Sequence, residues 1–193
     1  MTVAPLAATL SATWVLTRGS GAVSLLLLSA TVVLGIVDVT RWRTRSLPRF
    51  VIDALHRNVA LLAVAFVGVH VFTTLIDRFV SIGAVDAVVP FAGSYKPLWL
   101  GLGAIGFDLL LALIATGMLR HRIGYRAWRV THWLAYACWP VAMLHAVGMG
   151  TDASQPWMLG LMLACGGAVA VAVVTRLATS GATAEQPAKA LVR

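Results

Sequence analysis

Charged residues are scarce in this chain of 193 residues. Only 11% are charged and 60% are hydrophobic, which leaves too little polar surface for a soluble globular protein of this size. Fifteen Lys and Arg against seven Asp and Glu give a formal charge of +8. The basic residues form short clusters between long apolar runs rather than one continuous stripe. This pattern favours a membrane protein and argues against nucleic acid as a partner.

Cysteine is also nearly absent. Cys138 and Cys165 both lie in apolar stretches and have no CxxC spacing, so neither a disulfide framework nor a cysteine zinc site is expected. No basic residue precedes Arg18, whereas a cleaved signal peptide begins with a positively charged region. We therefore expect the first helix to be retained.

Long apolar segments dominate what remains. A bilayer core requires about 20 mostly apolar residues per spanning helix, and five segments meet or approach this length. They are Gly21–Val39 with a start as early as Trp14, a span within Phe50–Val80, Pro97–Leu119, Trp128–Met149 and Pro156–Leu177. Met1–Leu16 is too short to span, and stays open as a helical lead-in, an interfacial segment or a sixth membrane segment. The predicted fold class is an all-α integral membrane bundle of five helices, or six.

The loop charges predict the orientation of the spans. Eight arginines lie in the connections after the first and third spans, which we expect to be cytoplasmic. They are Arg41, Arg43, Arg45, Arg49, Arg120, Arg122, Arg126 and Arg129. The connections after the second and fourth spans carry Asp77, Arg78, Asp86, Lys96 and Asp152. We expect these two outside the cell membrane, with the amino terminus outside and residues 178–193 forming a short disordered cytoplasmic tail.

Four of the five histidines lie inside predicted spans, where ionisable side chains are costly and need a partner or a function. His56 and His70 are on the second span, and His132 and His145 are on the fourth. Counted from the flanking charged residues, His56 and His132 share an inner level. His70 and His145, each seven residues before an aspartate, share an outer level. A separation of 14 residues places the two levels about 20 Å apart.

Two histidine pairs at two depths indicate two haem sites. No carboxylate or thiolate is at hand to complete a zinc shell, whereas haem iron takes four nitrogens from the porphyrin and two from axial histidines. We predict His56 and His132 as ligands of an inner haem iron, and His70 and His145 as ligands of an outer one. The alternatives are histidines bonded to Ser, Thr or backbone carbonyls, or a single proton-relay pair. His121, without a partner at its depth, is predicted to be an interfacial loop residue.

Helical geometry supports one of the two spacings. A spacing of 14 falls about 40° short of four turns, so His56 and His70 share a face. A spacing of 13 falls about 140° short, which points His132 and His145 apart on a straight helix. Pro140 lies between them and can kink or rewind the helix.

Basic residues near the two membrane faces are candidates for binding the haem propionates. The inner candidates are Arg57, Arg126 and Arg129, and the outer ones are Arg78, Lys96 and Arg18. The inner level therefore has the larger set of predicted cofactor-binding residues.

The third span carries two further features. Gly101, Gly103 and Gly106 match GxGxxG, but no strand precedes them, so close helix packing is predicted rather than dinucleotide binding. Asp108 is a carboxylate within the membrane, expected to pair with a basic group, bond a histidine or relay protons to a quinone. The plain alternative is a protonated Asp108 bonded to a neighbouring helix.

Together these residues resemble the ferric reductase-like transmembrane domain, which ferric reductases, NADPH oxidases and the haem membrane subunit of a methionine sulfoxide reductase share. The resemblance rests on the histidine spacings of 14 and 13, supported by "WVLTRGSGAVSLLLLSATVVLG" and "YRAWRVTHWLAY". It implies a haem domain over residues 1–177, with two b-type haems on the four histidines. It also implies electron transfer from the cytoplasmic side to the outer side.

One departure from the oxidases and ferric reductases concerns the electron source. About 16 residues follow Leu177, whereas a flavin and nicotinamide module needs a domain of its own. We therefore expect a separate donor, a flavoprotein or a quinol, with quinone as a further cofactor, and an acceptor on the outer side. The alternatives are a quinone-linked cytochrome b subunit of a larger dehydrogenase, and a haem-free proton-coupled transporter or scaffold.

Overall fold

A computed structural model of the chain describes residues 12–40, 48–77, 80, 82–150 and 152–190. All of its regular elements within these ranges are helices. They are α1 (Ala12–Thr40), α2 (Arg49–Ile76), α3 (Ala84–Val88), α4 (Pro97–Met118), α5 (Arg120–Ile123), α6 (Tyr125–His132), α7 (Ala135–Met149) and α8 (Pro156–Ala190). The predicted roles of Arg41, Arg43, Arg45 and Arg78, and of most of Met1–Leu16, fall outside the described residues.

Prolines mark the starts of three long helices. Pro48 has an extended backbone directly before α2, and Pro97 and Pro156 are the first residues of α4 and α8. Proline suits this position because its missing N–H would have no partner in the first turn and its φ is already helical. A proline thus marks the start of α2, α4 and α8 after the connection that precedes each of them.

Four helices in the described residues are long and apolar enough to cross a membrane. They are Ala12–Thr40, Phe50–Ile76, Pro97–Met118 and Pro156–Thr179. They correspond to four of the five predicted spans. The remaining segment, predicted as one span over Trp128–Met149, is divided into α6 and α7 at Trp133 and Leu134, so neither part has the length of a span.

The last helix is longer than the sequence predicted. α8 continues through Ala190, where a coil was expected from residue 178 onwards. The segment is rich in alanine, the residue with the highest helix propensity, and continues a helix that is already formed, although Gly181 and Pro187 within it are unfavourable in a helix interior.

Helix α1 is the centre of the bundle and packs against α2, α7 and α8, whereas α4 packs against α7, α6 and α3. The buried face of α1 carries Ser20, Ser24 and Ser29. Each of these hydroxyls donates to the carbonyl four residues earlier in the helix, which satisfies polar groups in a setting without water. Because serine is small, this face of α1 also lets the neighbouring helices approach closely.

Candidate functional site

His56, His70, His132 and His145 form two pairs in the structure. The ring centroids of His56 and His132 are 6.4 Å apart, and those of His70 and His145 are 6.3 Å apart. The planes of the two rings meet at 70° in the first pair and at 81° in the second. The sequence count of depths predicted this pairing in space.

A local change of helix geometry resolves the mismatch between the spacings of 14 and 13. The backbone N–H groups of Trp133, Leu134, Tyr136 and Ala137 bond the carbonyl three residues earlier, as in a 3₁₀-helix. Each such residue turns the chain by about 120° instead of 100° and advances it by about 2.0 Å instead of 1.5 Å.

The sums for the two histidine helices then agree. If each of these four donors counts as one 3₁₀ step, the bonds add about 80°, so the spacing of 13 falls about 60° short of four turns, close to the 40° of the spacing of 14. The axial distances are about 21.5 Å and 21 Å by the same arithmetic. The predicted rewinding is thus present, but it lies at Trp133 and Leu134 rather than at Pro140.

Backbone carbonyls hold three of the four imidazoles. His56 Nδ1 lies 3.0 Å from the Thr31 oxygen, and His70 Nδ1 lies 2.8 Å from that of Thr17. His145 Nδ1 is likewise 2.8 Å from the carbonyl oxygen of Trp99. A carbonyl can only accept, so Nδ1 carries the hydrogen, and in a neutral ring Nε2 is then the unprotonated nitrogen.

Hydrogen bonding to backbone carbonyls was the alternative to metal binding for these histidines. In the structure the two are compatible, because they use different ring nitrogens. Each bond uses Nδ1 alone. A histidine that binds a metal characteristically donates its other ring N–H to a carbonyl or carboxylate, which orients the ring and makes it a stronger ligand. The bonds to Thr17, Thr31 and Trp99 are of this kind.

His132 is oriented differently. Its ring stacks on Trp128, with centroids 5.0 Å and planes 26° apart. It is exposed, whereas His56, His70 and His145 are half-buried. The inner pair therefore combines one carbonyl-bonded histidine with one stacked histidine, while both members of the outer pair are carbonyl-bonded.

The predicted propionate partners differ between the two levels. Arg57, Arg126 and Arg129 are exposed, and the described part of the chain gives them no ion pair. At the outer level Arg18 pairs with Asp152 and lies over the Trp14 ring. Lys96 Nζ donates to the Gly148 carbonyl at 3.1 Å. Among the described residues, the three inner arginines thus have no ion pair, whereas Arg18 and Lys96 at the outer level are engaged.

The donor set favours one class of metal group. Within the described ranges no three His, Cys, Asp or Glu side chains converge as a metal site, so the candidates are pairs of imidazoles. If two nitrogens bind one metal from opposite sides at about 2.0 Å each, the ring centroids lie about 6.3 Å apart. The observed 6.3 and 6.4 Å match this value, as haem iron with two axial histidines requires.

Comparison with protein-family models identifies the family of this chain. The model of the ferric reductase like transmembrane component matches residues 20–143, nearly two-thirds of the chain. The chain belongs to the ferric reductase-like transmembrane family. The matched range includes His56, His70 and His132 and ends two residues before His145. Searches of curated proteins and of solved structures gave no significant match.

Membership of this family indicates a transmembrane electron-transfer component. Two other predictions can be compared with the structure. Gly103 permits close helix approach, because a Cβ there would lie 2.5 Å from His145 on α7. A Cβ on Gly101 would collide with Phe91, which lies outside the helices, and one on Gly106 would make an ordinary contact with Val141. Asp108 is half-buried on α4 and forms no hydrogen bond or ion pair within the described residues. A role for Asp108 in relaying protons to a quinone stays a prediction.

Sequence reasoning allowed for bonds to backbone carbonyls but did not identify which carbonyls bond the histidine Nδ1 atoms. They are main-chain oxygens, which every residue has, so no residue type in the sequence indicates them. It also missed Arg176, which bonds the Tyr136 hydroxyl and lies over the Trp133 ring near the 3₁₀ turn. The sequence offered one signal for these contacts, a set of glycines inside otherwise apolar helices. Glycine weakens the interior of a helix, so its presence there indicates a close contact with a neighbouring group.

Proposed function

We propose that this protein is a dihaem b-type membrane cytochrome that passes electrons across the cell membrane to an acceptor on the outer side. The observation that supports it most is the pair of imidazole separations, 6.4 Å at the inner level and 6.3 Å at the outer level. Family membership points in the same direction. The proposed ligands are His56 and His132 for the inner iron, and His70 and His145 for the outer iron.

The geometry of each pair argues against a proton relay. A relay requires ring nitrogens within hydrogen-bond distance, about 3 Å. In the described residues no hydrogen bond joins the two members of either pair, and three of the four rings use Nδ1 for a carbonyl. The separation is too large for direct proton transfer and suits a shared metal ion.

A bound haem supplies a one-electron Fe(III)/Fe(II) couple at each level. The chain's own residues provide the rest. The carbonyl bonds orient His56, His70 and His145 so that Nε2 is available, His132 stacks on Trp128, and the surrounding apolar helices exclude water. The two levels lie about 21 Å apart along α2, so the pair of sites extends over most of a hydrocarbon core of about 30 Å.

The basic residues support an assignment of the inner side. Arg57, Arg126 and Arg129 are exposed and carry no ion pair among the described side chains, so they are available to the propionates of an inner haem. The same cluster supports a cytoplasmic location for this end by the positive-inside rule. We propose five spans, with α6 and α7 together forming the fourth and the amino terminus outside.

The electron donor in this proposal is a separate flavoprotein or a quinol. The acceptor is a molecule or protein on the outer side. Purified protein should be tested for reduction by quinol and by NADPH with candidate flavoproteins. Quinol reduction without added protein would identify the membrane pool as the donor.

Haem binding itself has a direct test. Protein purified from haem-replete cells should be red, show a Soret band, sharpen its α band with dithionite and contain about two haems per chain. His70→Ala and His145→Ala should each remove mainly the outer haem. His121→Ala is the matched control, because His121 is exposed and, among the described residues, has a hydrogen bond with Arg120 alone. A colourless wild-type protein would refute the cytochrome proposal.

A further inference from the structure

We infer that Gly21, Gly35 and Gly103 are positioning residues for the histidine ligands. Each uncovers the main-chain carbonyl four residues earlier in its own helix, and that carbonyl binds the Nδ1–H of one histidine. The inference rests on the proposed haem function and adds to it the means by which three of the ligands are oriented.

The same arrangement occurs three times in the structure. The three sets of carbonyl, glycine and histidine are Thr17, Gly21 and His70; Thr31, Gly35 and His56; and Trp99, Gly103 and His145. The carbonyl precedes the glycine by four residues in every case. Two of the sets are on α1 and one is on α4, so the arrangement does not depend on one particular helix.

Each glycine lies directly against the histidine ring. A Cβ added to Gly103 would lie 2.5 Å from His145 Cε1 and 2.6 Å from its Nδ1. A Cβ on Gly21 would lie 3.0 Å from His70 Nδ1, and one on Gly35 would lie 3.2 Å from His56 Cε1. Every one of these distances is shorter than ordinary van der Waals contact, so the ring occupies the space that a side chain would need.

Helix geometry explains the separation of four residues. The Cα–Cβ bond in an α-helix tilts toward the amino terminus, so the side chain at position i+4 lies near the carbonyl of residue i. Helix α1 shows this directly, because Ser24 and Ser29 donate to the carbonyls of Ser20 and Leu25. Glycine at i+4 leaves the second lone pair of that carbonyl accessible from the side.

The repeat on α1 matches the repeat on α2. Gly21 and Gly35 are 14 residues apart, and so are His56 and His70. The two helices are closely packed, and the chain direction reverses between them, so the first glycine serves the second histidine. The equal spacing places both contacts in register, about 21 Å apart along the helix pair.

The consequence for the ligands is a fixed tautomer and a fixed ring plane. The carbonyl bond keeps hydrogen on Nδ1, leaves Nε2 free for iron and makes the imidazole a stronger donor. His132 has no such set within the described residues and stacks on Trp128 instead. The outer pair therefore has two glycine-dependent ligands, and the inner pair has one.

Alanine substitutions test the inference in the full-length protein. Gly103→Ala and Gly21→Ala should shift the reduced-minus-oxidised spectrum, the low-spin resonance and the midpoint potential of the outer haem. The effect should be larger for Gly103→Ala, because its Cβ would be closer to the ring. Gly35→Ala should change the inner haem alone. Haem content should fall from about two toward about one per chain in the most affected variant.

Matched controls lie on the same helices. Gly19 on α1 and Gly117 on α4 have no atom within 4 Å of an added Cβ, and alanine is the better helix former. Gly19→Ala and Gly117→Ala should leave both haem signals unchanged. If Gly103→Ala does not fold, Gly21→Ala and Gly35→Ala, which are milder, decide the question.

Two outcomes would overturn the inference. One is wild-type spectra and potentials in both Gly21→Ala and Gly35→Ala. The other is an equal shift in the control variants, which would indicate a general packing effect. Either result, obtained with wild-type protein that carries two haems, leaves the cytochrome proposal standing. A wild-type protein without haem would instead remove the basis of both.

Discussion

The rings of Trp128 and His132 are stacked, with centroids 5.0 Å apart. His132 thereby differs from its partner His56, whose Nδ1 is held by the Thr31 carbonyl. A stacked ring resists tilting but remains free to turn in its own plane, whereas a hydrogen-bonded ring is fixed in direction. The inner pair therefore depends on an aromatic side chain that substitution can remove.

Replacing Trp128 tests this dependence. Trp128→Leu should weaken binding of the inner haem about 2- to 10-fold, since an aromatic pair contributes about 0.5–1.5 kcal/mol, and should leave the outer haem unchanged. Trp128→Phe should retain most of the binding. Trp157→Leu, at an exposed tryptophan of α8, is the control. Haem titration followed by the Soret band measures the effect, and equal affinities in Trp128→Leu and wild type would contradict it.

The angles between the ring planes predict a magnetic signature. The planes meet at 70° in the inner pair and at 81° in the outer pair. Nearly perpendicular axial imidazoles make two iron d orbitals almost equal in energy, which increases the anisotropy of the low-spin ferric signal. Electron paramagnetic resonance of the oxidised protein should show strongly anisotropic low-spin signals. A rhombic signal typical of parallel rings would contradict the observed orientation.

The position of the 3₁₀ turn predicts that Pro140 is dispensable for ligand alignment. The four short-range bonds that rewind the helix involve donors from Trp133 to Ala137, all before the proline. Pro140→Ala should therefore keep both haems. One alanine inserted between Cys138 and Trp139 should rotate His145 by about 100° and remove mainly the outer haem. Difference spectra measure the haem content of both variants. Loss of the outer haem in Pro140→Ala would show that the proline causes the rewinding.

Charge at the inner face predicts a change of potential. Arg57 adjoins His56 and is exposed, and its positive charge favours the reduced form of a nearby haem. Arg57→Gln should lower the inner midpoint potential by about 20–70 mV, the range for one charge about 10 Å away at an effective dielectric between 80 and 20. Arg122→Gln, on the short helix α5, is the control. Redox titration should show an unchanged outer haem, and an unchanged inner potential would exclude Arg57 as a propionate partner.

Side-chain chemistry made the pairing of His56 with His132 and of His70 with His145 predictable from the sequence, because ionisable residues in a membrane are few and their depths can be counted. The relative direction of His132 and His145 was not predictable. It depends on hydrogen bonds around Trp133 and Leu134 that form in the packed helix, in the turns before Pro140. The helical continuation of α8 to Ala190 was missed because its composition is polar as well as rich in alanine.

The partners of His56, His70 and His145 are main-chain oxygens, and every amino acid has the same oxygen. Positions 17, 31 and 99 can therefore change their side chains without changing the atom that the histidine meets. A saturation mutagenesis map should accordingly show tolerance at the residues that make the bond and intolerance four positions later. Gly21, Gly35 and Gly103 thus control three bonds to which they contribute no atom.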